Sequence, residues 1–332
     1  MVEKVETLDE LYSDRTLYSS KDMFSPPSER LPWVIRFELT TGCNWGKCTY
    51  CSGFDGVRYH EKSLEGYAHH VDAVLDKVPQ ELTDKFTRIF IGGGNALQVQ
   101  TDKLKYIIEL TDSKVKNKKK DYYIRRISLY GRTDSILKKG WRGLRELRYA
   151  GSRGLDLVYW GVESGSNNVL DYVNKGGDKE DIIEAGNTLN NTGINSSVMV
   201  MPGLGGIKFF DEHAEETAKV LGKIRPDFIT FMGVSPNPHS EYAIKMRGEV
   251  NAGINRPLTD WELVEQMQKI IRLMPANRGK VGCFNQRIDS VGHNPITFGS
   301  RRIYSEEDRH AIANELGQRA EWIRAMQTIP PI

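Results

Sequence analysis

From Pro32 onward the sequence repeats one pattern six times: a short apolar run, a loop, and a stretch with apolar residues at helical spacing. The runs are Val34–Leu39, Thr87–Ile91, Arg126–Tyr130, Asp156–Trp160, Ser197–Met201 and Asp227–Met232. Strands that alternate with helices pair in parallel through right-handed crossovers, because a hairpin cannot join parallel neighbours. The expected fold is therefore α/β: a partial (β/α)6 TIM-like barrel followed by a mainly helical C-terminal extension. In such a barrel the chemistry gathers at the carboxyl ends of the strands. Four unusual stretches follow strand ends here: the cysteine loop Thr41–Cys51, Gly92–Asn95, Gly161–Gly165 and Pro202–Gly206.

The pattern sets the expected boundaries. Residues 1–30 form a polar arm with a proline-marked exit, 31–245 the barrel, and 246–332 an extension that closes a substrate pocket. The first barrel helix spans about 62–78, with Leu64, Tyr67, Ala68, Val71, Val74, Leu75 and Val78 on one face. Thr101 and Asp178 are placed to cap later helices, and Thr259-Asp260-Trp261-Glu262 reads as a capping box. Leu137, Trp141, Leu144 and Leu147 define an inward face. The five lysines within Lys114–Lys120 read as a solvated loop. Val281–Phe284 reads as a seventh strand, and a last helix runs from Ser305.

Composition narrows the partners. Of 332 residues, 39% are hydrophobic and 27% charged, the balance of a globular protein. A net charge of +2 gives no argument for nucleic acid or an anionic membrane. No apolar run approaches the roughly 20 residues that span a bilayer. The start, Met1-Val2-Glu3-Lys4, lacks a signal-peptide pattern. The cytoplasm is the expected compartment, and there clustered cysteines bind metal or do chemistry rather than form disulfides.

Cys43, Cys48 and Cys51 are three of the four cysteines and fall within nine residues, spaced C-x4-C-x2-C. A loop this short can turn three thiolates toward one iron–sulfur cluster and leave one iron for another ligand. Structural zinc needs a fourth Cys or His at suitable spacing, and His60, His69 and His70 do not complete a zinc ribbon. Incidental core cysteines are the remaining reading. A non-catalytic iron–sulfur or zinc-binding protein thus stands as the alternative to an enzyme.

With Tyr50 just before its last cysteine, this loop resembles that of the radical S-adenosylmethionine (SAM) superfamily, whose commonest spacing is C-x3-C-x2-C. Gly92-Gly93-Gly94-Asn95-Ala96-Leu97 resembles the family's glycine motif. GVESGSNNVLDYVNKG at 161–176 is similar to a motif of the branch holding oxygen-independent coproporphyrinogen oxidase, the methylthiotransferases and the elongator catalytic subunit. The resemblance covers about residues 24–245.

The resemblance implies an oxidoreductase or transferase that binds a [4Fe-4S] cluster and SAM. It would take one electron from a donor such as flavodoxin or ferredoxin and make a 5′-deoxyadenosyl radical that abstracts hydrogen from an unidentified substrate. Cys43, Cys48 and Cys51 would hold the cluster, and Tyr50 would pack near the adenine. Gly93, Gly94 and Asn95 would meet the methionine amine. Tyr130 stands where relatives carry an acid for the ribose or methionine, and Arg132 would instead pair with the methionine carboxylate. Glu163 and Lys175 match polar positions around the cofactor. Each has a plainer reading: a strand-end hydrogen bond for Glu163, an ion pair for Arg132, solvation for Lys175, core packing for Tyr130. Pro202–Gly206 is either a turn or an approach for the adenine. Cys283 reads as a buried small apolar residue, and His239 and His293 as candidate substrate contacts.

Overall fold

The computed structural model describes residues 4–19, 25–51, 53–54, 56–234, 236–277, 279–283 and 297–327; His293 and Phe284 lie outside them. The chain divides into two compact units. The first comprises Met1–Gly46, Gly53–Trp160 and Thr188–Asn195, and the second Lys47–Ser52, Gly161–Asn187 and Ser196–Ile332.

In the first unit, strands β1 (Val34–Glu38), β4 (Arg88–Gly92), β5 (Arg126–Gly131) and the stretch of β6 (Leu157–Glu163) up to Trp160 pair in parallel in that order. Two short strands, β2 (Thr40–Thr41) and β3 (His60–Glu61), form an antiparallel pair that frames the cysteine loop in sequence. The helices are α1 (Leu8–Ser13), α2 (Leu64–Lys77), α3 (Gln80–Thr83), α4 (Thr101–Lys118) and α5 (Thr133–Arg148). In α2, Ser63 Oγ accepts the Gly66 N–H and the helix buries Tyr67, His70, Val71, Val74 and Leu75.

The N-terminal arm seals the open edge of β1. Tyr12 OH donates to Val34 O (3.1 Å) and accepts from Arg36 N–H (3.0 Å). Tyr18 OH donates to Arg36 O (2.8 Å), and Glu38 N–H donates to His70 Nε2 (2.9 Å). These side chains meet backbone groups that a bare edge strand would leave as a template for aggregation. Such pairing is tertiary and has no signature in the arm's polar sequence.

Three expectations for this unit are corrected. The lysine run is not a loop, since α4 continues through Lys118. Lys114 and Lys118 pair with Asp72 and Asp76, and buried Lys119 donates to the Thr83, Asp84 and Phe86 carbonyls. Trp141 is 51% exposed because Gly140, at φ 59°, breaks the helical phase just before it. Helix α4 starts at Thr101 with Gln100 before it, so Thr101 does not cap it.

In the second unit, β7 (Asn195–Val200), β8 (Phe228–Phe231) and β9 (Lys280–Cys283) pair in parallel, and β10 (Phe298–Arg302) joins β9 antiparallel. Its helices are α6 (Asn167–Tyr172), α7 (Lys179–Asn190), α8 (Phe210–Ile224), α9 (Glu241–Asn251), α10 (Asp260–Leu273) and α11 (Glu306–Gln327). The Thr259 capping box forms, with Thr259 N–H donating to Glu262 Oε2 (2.8 Å). Asp178 Oδ1 accepts the Asp181 N–H (2.8 Å) as expected of a cap. Helices α6 and α9 and strand β10 were not anticipated. The α/β class is as the alternation dictates, with strand-then-helix order through the parallel strands and a mainly helical C-terminal stretch.

Candidate functional site

In the first unit the candidate residues follow the carboxyl ends of β1, β4 and β5. Gly42, at φ 65°, turns the chain into Cys43. The glycine loop after β4 presses directly on this turn. A Cβ on Gly94 would sit 1.7 Å from Gly42 O, and one on Gly93 (φ 118°) would sit 1.8 Å from Thr40 O. Only glycine permits backbone to meet backbone this closely. Asn95, 1% exposed, donates through Nδ2 to Asn44 Oδ1 (2.8 Å) and Ser135 Oγ (2.7 Å). Its Oδ1 is buried without a hydrogen-bond partner.

Tyr130 is buried and packs edge-on against Phe90 (5.4 Å between ring centroids) and Tyr159 (6.0 Å). Arg132 precedes α5, bonds Asp134 Oδ1 through Nε (3.0 Å), and holds its guanidinium 5.3 Å from the Trp45 ring. Deeper in the same unit, Glu29 Oε1 accepts from Arg126, from Tyr159 OH (2.6 Å) and from Ser128 Oγ (3.2 Å), tying the arm to β5 and β6.

The second unit holds the rest of the loop. Cys51 N–H donates to Cys48 O (3.1 Å), closing a tight turn between those two cysteines. Thr49 anchors it: its N–H donates to Val173 O (3.0 Å), and its carbonyl accepts the Tyr242 N–H at the start of α9 (3.2 Å). Tyr50 packs on a buried cluster that includes Tyr172, Leu204, Tyr242 and Met246. Burial, and then the Glu163 carboxylate beside it, hold its hydroxyl well above the ordinary tyrosine range.

Glu163 takes a left-handed backbone, φ 63°, at the end of β6. Its Oε1 accepts from Lys175 Nζ at 2.9 Å, and both residues are buried. A Cβ on Gly161 would sit 2.3 Å from Glu163 Oε1 and 2.9 Å from Lys175 Nζ, so the pair occupies the space that glycine leaves. Ser164 Oγ meets buried His213 Nδ1 at 2.7 Å, and burial drops the His213 pKa to about 4. The imidazole is neutral at ordinary pH.

The structure therefore brings Tyr50, Glu163 and Lys175 together beside Cys48 and Cys51, and Gly93, Gly94 and Asn95 against the turn into Cys43. Lys175 is buried and paired, not solvated. The glycines of Pro202–Gly206 serve their own unit, since Cβ atoms at Gly203, Gly205 and Gly206 would meet Leu263, Phe209 and Asn255. His239 is exposed, and Cys283 is buried with its thiol pushed up to about 12 by burial. None of the four cysteines is in a disulfide. Among the described residues no three His, Cys, Asp or Glu side chains are gathered as a metal site. Asn44, Trp45, Thr49, Ser135 and Tyr242 escaped the sequence reading. Ser240 three residues before Ala243, with Tyr242 and Met246 four apart, was the signal that could have revealed α9.

The donor chemistry fits a soft metal cluster: three thiols on one short loop, and no fourth cysteine near them in sequence. The buried, unpartnered Asn95 Oδ1 fits a site that expects a hydrogen-bond donor from outside the chain. Among the described residues no helix is long and apolar enough to cross a membrane.

The family model described as Radical SAM superfamily matches residues 37–221, a span that contains every candidate cofactor and metal residue named above. No curated protein matches the chain. Among solved structures, the methyltransferase TsrM from Kitasatospora setae is 15% identical, with 67% of this chain and 41% of that chain covered and a TM-score of 0.48. Elp3 from the archaeon Methanocaldococcus infernus is also 15% identical, with coverages of 86% and 63% and a TM-score of 0.47. Methylornithine synthase (PylB) is 11% identical, with coverages of 93% and 94% and a TM-score of 0.47. The chain spans less than two thirds of the length of the first two.

Proposed function

The chain belongs to the radical SAM superfamily, and on that premise we propose that it is a radical SAM enzyme whose Cys43, Cys48 and Cys51 hold a [4Fe-4S] cluster with one iron open to SAM. When bound, the cluster and SAM together supply one-electron cleavage of a C–S bond and a 5′-deoxyadenosyl radical able to abstract hydrogen. The chain's own residues bind and orient. Gly93 and Gly94 let the strand-end backbone approach the loop, and Asn95 Oδ1 offers an acceptor to the methionine amine. Tyr50 walls the adenine side, and Glu163, held by Lys175, presents a carboxylate beside Tyr50. Tyr130 packs the floor between Phe90 and Tyr159.

The observation that carries this reading is the family match over residues 37–221, which encloses the whole C-x4-C-x2-C loop and the glycine strand end pressed on it. The enzyme needs a reductant and a substrate. A flavodoxin or ferredoxin in the cytoplasm suits the first, because a reducing compartment keeps the thiols available. The substrate is not fixed by the fold. We assign residues 31–245 to the barrel and 246–332 to closure of the substrate pocket, with 1–30 as the arm.

Anaerobic reconstitution with iron and sulfide, followed by metal analysis and electron paramagnetic resonance (EPR) of the reduced protein, tests the reading. About four irons per chain and a reduced-cluster signal that changes shape when SAM is added are expected. Zinc in place of iron, or a spectrum indifferent to SAM, contradicts it.

A further inference from the structure

The spacer between the first two cysteines, Asn44-Trp45-Gly46-Lys47, is four residues long, and its first two side chains are each held from outside the loop. Ser135, near the start of α5, has one hydroxyl proton, which it gives to Gln98 Oε1 at 3.1 Å. Its oxygen therefore accepts from Asn95 Nδ2 (2.7 Å), and this fixes which way the Asn95 carboxamide faces. The other Nδ2 proton goes to Asn44 Oδ1 (2.8 Å), the residue next to Cys43. Asn95 and Ser135 are 1% and 0% exposed, so the chain Gln98–Ser135–Asn95–Asn44 is rooted in the interior. From the same end of α5, the Arg132 guanidinium faces the Trp45 ring at 5.3 Å while its Nε bonds Asp134 Oδ1.

We propose that Asn95 and Arg132 are positioning residues for the cysteine loop: Asn95 Nδ2 fixes Asn44, Arg132 fixes Trp45, and together they set the direction in which Cys43 leaves the turn at Gly42. The inference rests on the three-thiolate reading above and adds to it. A role for either residue toward SAM would use other atoms, Oδ1 in the case of Asn95. A four-residue spacer has more conformational freedom than a three-residue one, and ordering it costs backbone entropy. A buried carboxamide whose orientation is already set by Ser135 offsets that cost before any cluster arrives. The Asn95 side chain is bonded to the loop at Asn44, so removing either partner should have the same effect.

The test is a double-mutant cycle on Asn44→Ala and Asn95→Ala with two readouts. The first is amide hydrogen exchange over Cys43–Gly46 in the metal-free protein, and the second is iron retained per chain after reconstitution and desalting. Each single variant is expected to speed exchange about tenfold, the usual effect of losing one buried hydrogen bond, and to retain less iron. The double variant should go no further than the singles. Asn44 is less buried, so Asn44→Ala keeps the test open if Asn95→Ala fails to fold. Trp45→Leu and Arg132→Leu form a second, independent pair, each expected to speed exchange about two- to fivefold for the loss of a cation–π contact, with the double variant going no further. Wild-type exchange in Asn44→Ala, or additive effects in the double variant, overturns the proposal. The exchange readout needs no cluster. If the wild-type chain takes up no cluster, the function proposed above fails, while the exchange readout still decides the brace.

Discussion

Glu163 and Lys175 form a buried ion pair, 2.9 Å between Oε1 and Nζ, with Glu163 held at φ 63° on the last residue of β6. Neither feature is cheap. A non-glycine residue in the left-handed region costs of order 1–3 kcal/mol and persists where the surroundings fix it. Removing one partner of a buried pair strands a charge, at about 3–5 kcal/mol. Lys175→Met should therefore lower the unfolding free energy by about that amount. Adding Glu163→Gln should return most of it, because two neutral side chains carry no stranded charge. Urea unfolding of the two variants measures both. A Lys175→Met protein as stable as wild type would mean that the pair is solvated in solution.

Gly94→Ala should be among the most damaging single changes in the first unit. Its Cβ would lie 1.7 Å from Gly42 O, and both sides of that contact are backbone, so no rotamer relieves it. Gly140→Ala is the control: it meets nothing within 4 Å but carries the strain of φ 59°. Overpacking typically costs 1–3 kcal/mol, occasionally more, and left-handed alanine about 1–2. Thermal unfolding should thus rank Gly94→Ala below Gly140→Ala. Only Gly94→Ala should also disturb amide exchange at Gly42 and Cys43.

His70 gives the fold a pH dependence of known sign. Burial, helped by the nearby Lys62 charge, lowers its pKa to about 3, and its Nε2 must stay unprotonated to accept the Glu38 N–H. The folded-state pKa lies below the unfolded value near 6.5. The stability it contributes is therefore complete above pH 6.5 and is lost as pH falls toward 3. Between pH 7.5 and pH 5 the loss should be about 2 kcal/mol from this group. His213, pushed down to about 4, adds a loss of the same sign. His70→Gln keeps an acceptor for Glu38 N–H and cannot titrate. Urea unfolding at the two pH values should show a smaller drop in this variant than in wild type. An equal drop would exclude His70 as a source.

The strands and the inner faces of the helices could be read from the sequence, because apolar periodicity reports burial directly. Tyr67, Val71, Val74 and Leu75 on α2 are buried, as their spacing demands, while Leu64 in the first turn is exposed. Where the reading failed, the deciding interaction was distant in sequence or local to one glycine. Lys119 reads as one more solvated lysine, yet three carbonyls thirty-odd residues away collect around its ammonium group. Trp141 fits a helical stripe until Gly140 shifts the phase. At the site, three cysteines and a glycine triplet announce themselves by type and spacing. Asn44 and Thr49 do not, because what matters there is which residue from another strand or helix bonds to them. Tyr242 was hidden for a different reason: α9 falls where the repeating pattern ends, and a single short amphipathic helix has no neighbours in sequence to support it.

Three thiolates on this loop should enable reductive cleavage of SAM. The most direct measurement is 5′-deoxyadenosine formed from SAM by the anaerobically reconstituted protein with dithionite, compared with Cys48→Ala treated identically. The wild-type chain should cleave SAM at stoichiometric levels or above, and Cys48→Ala not above background. Equal 5′-deoxyadenosine from both proteins, or none from a wild-type protein that carries a full cluster, would contradict it.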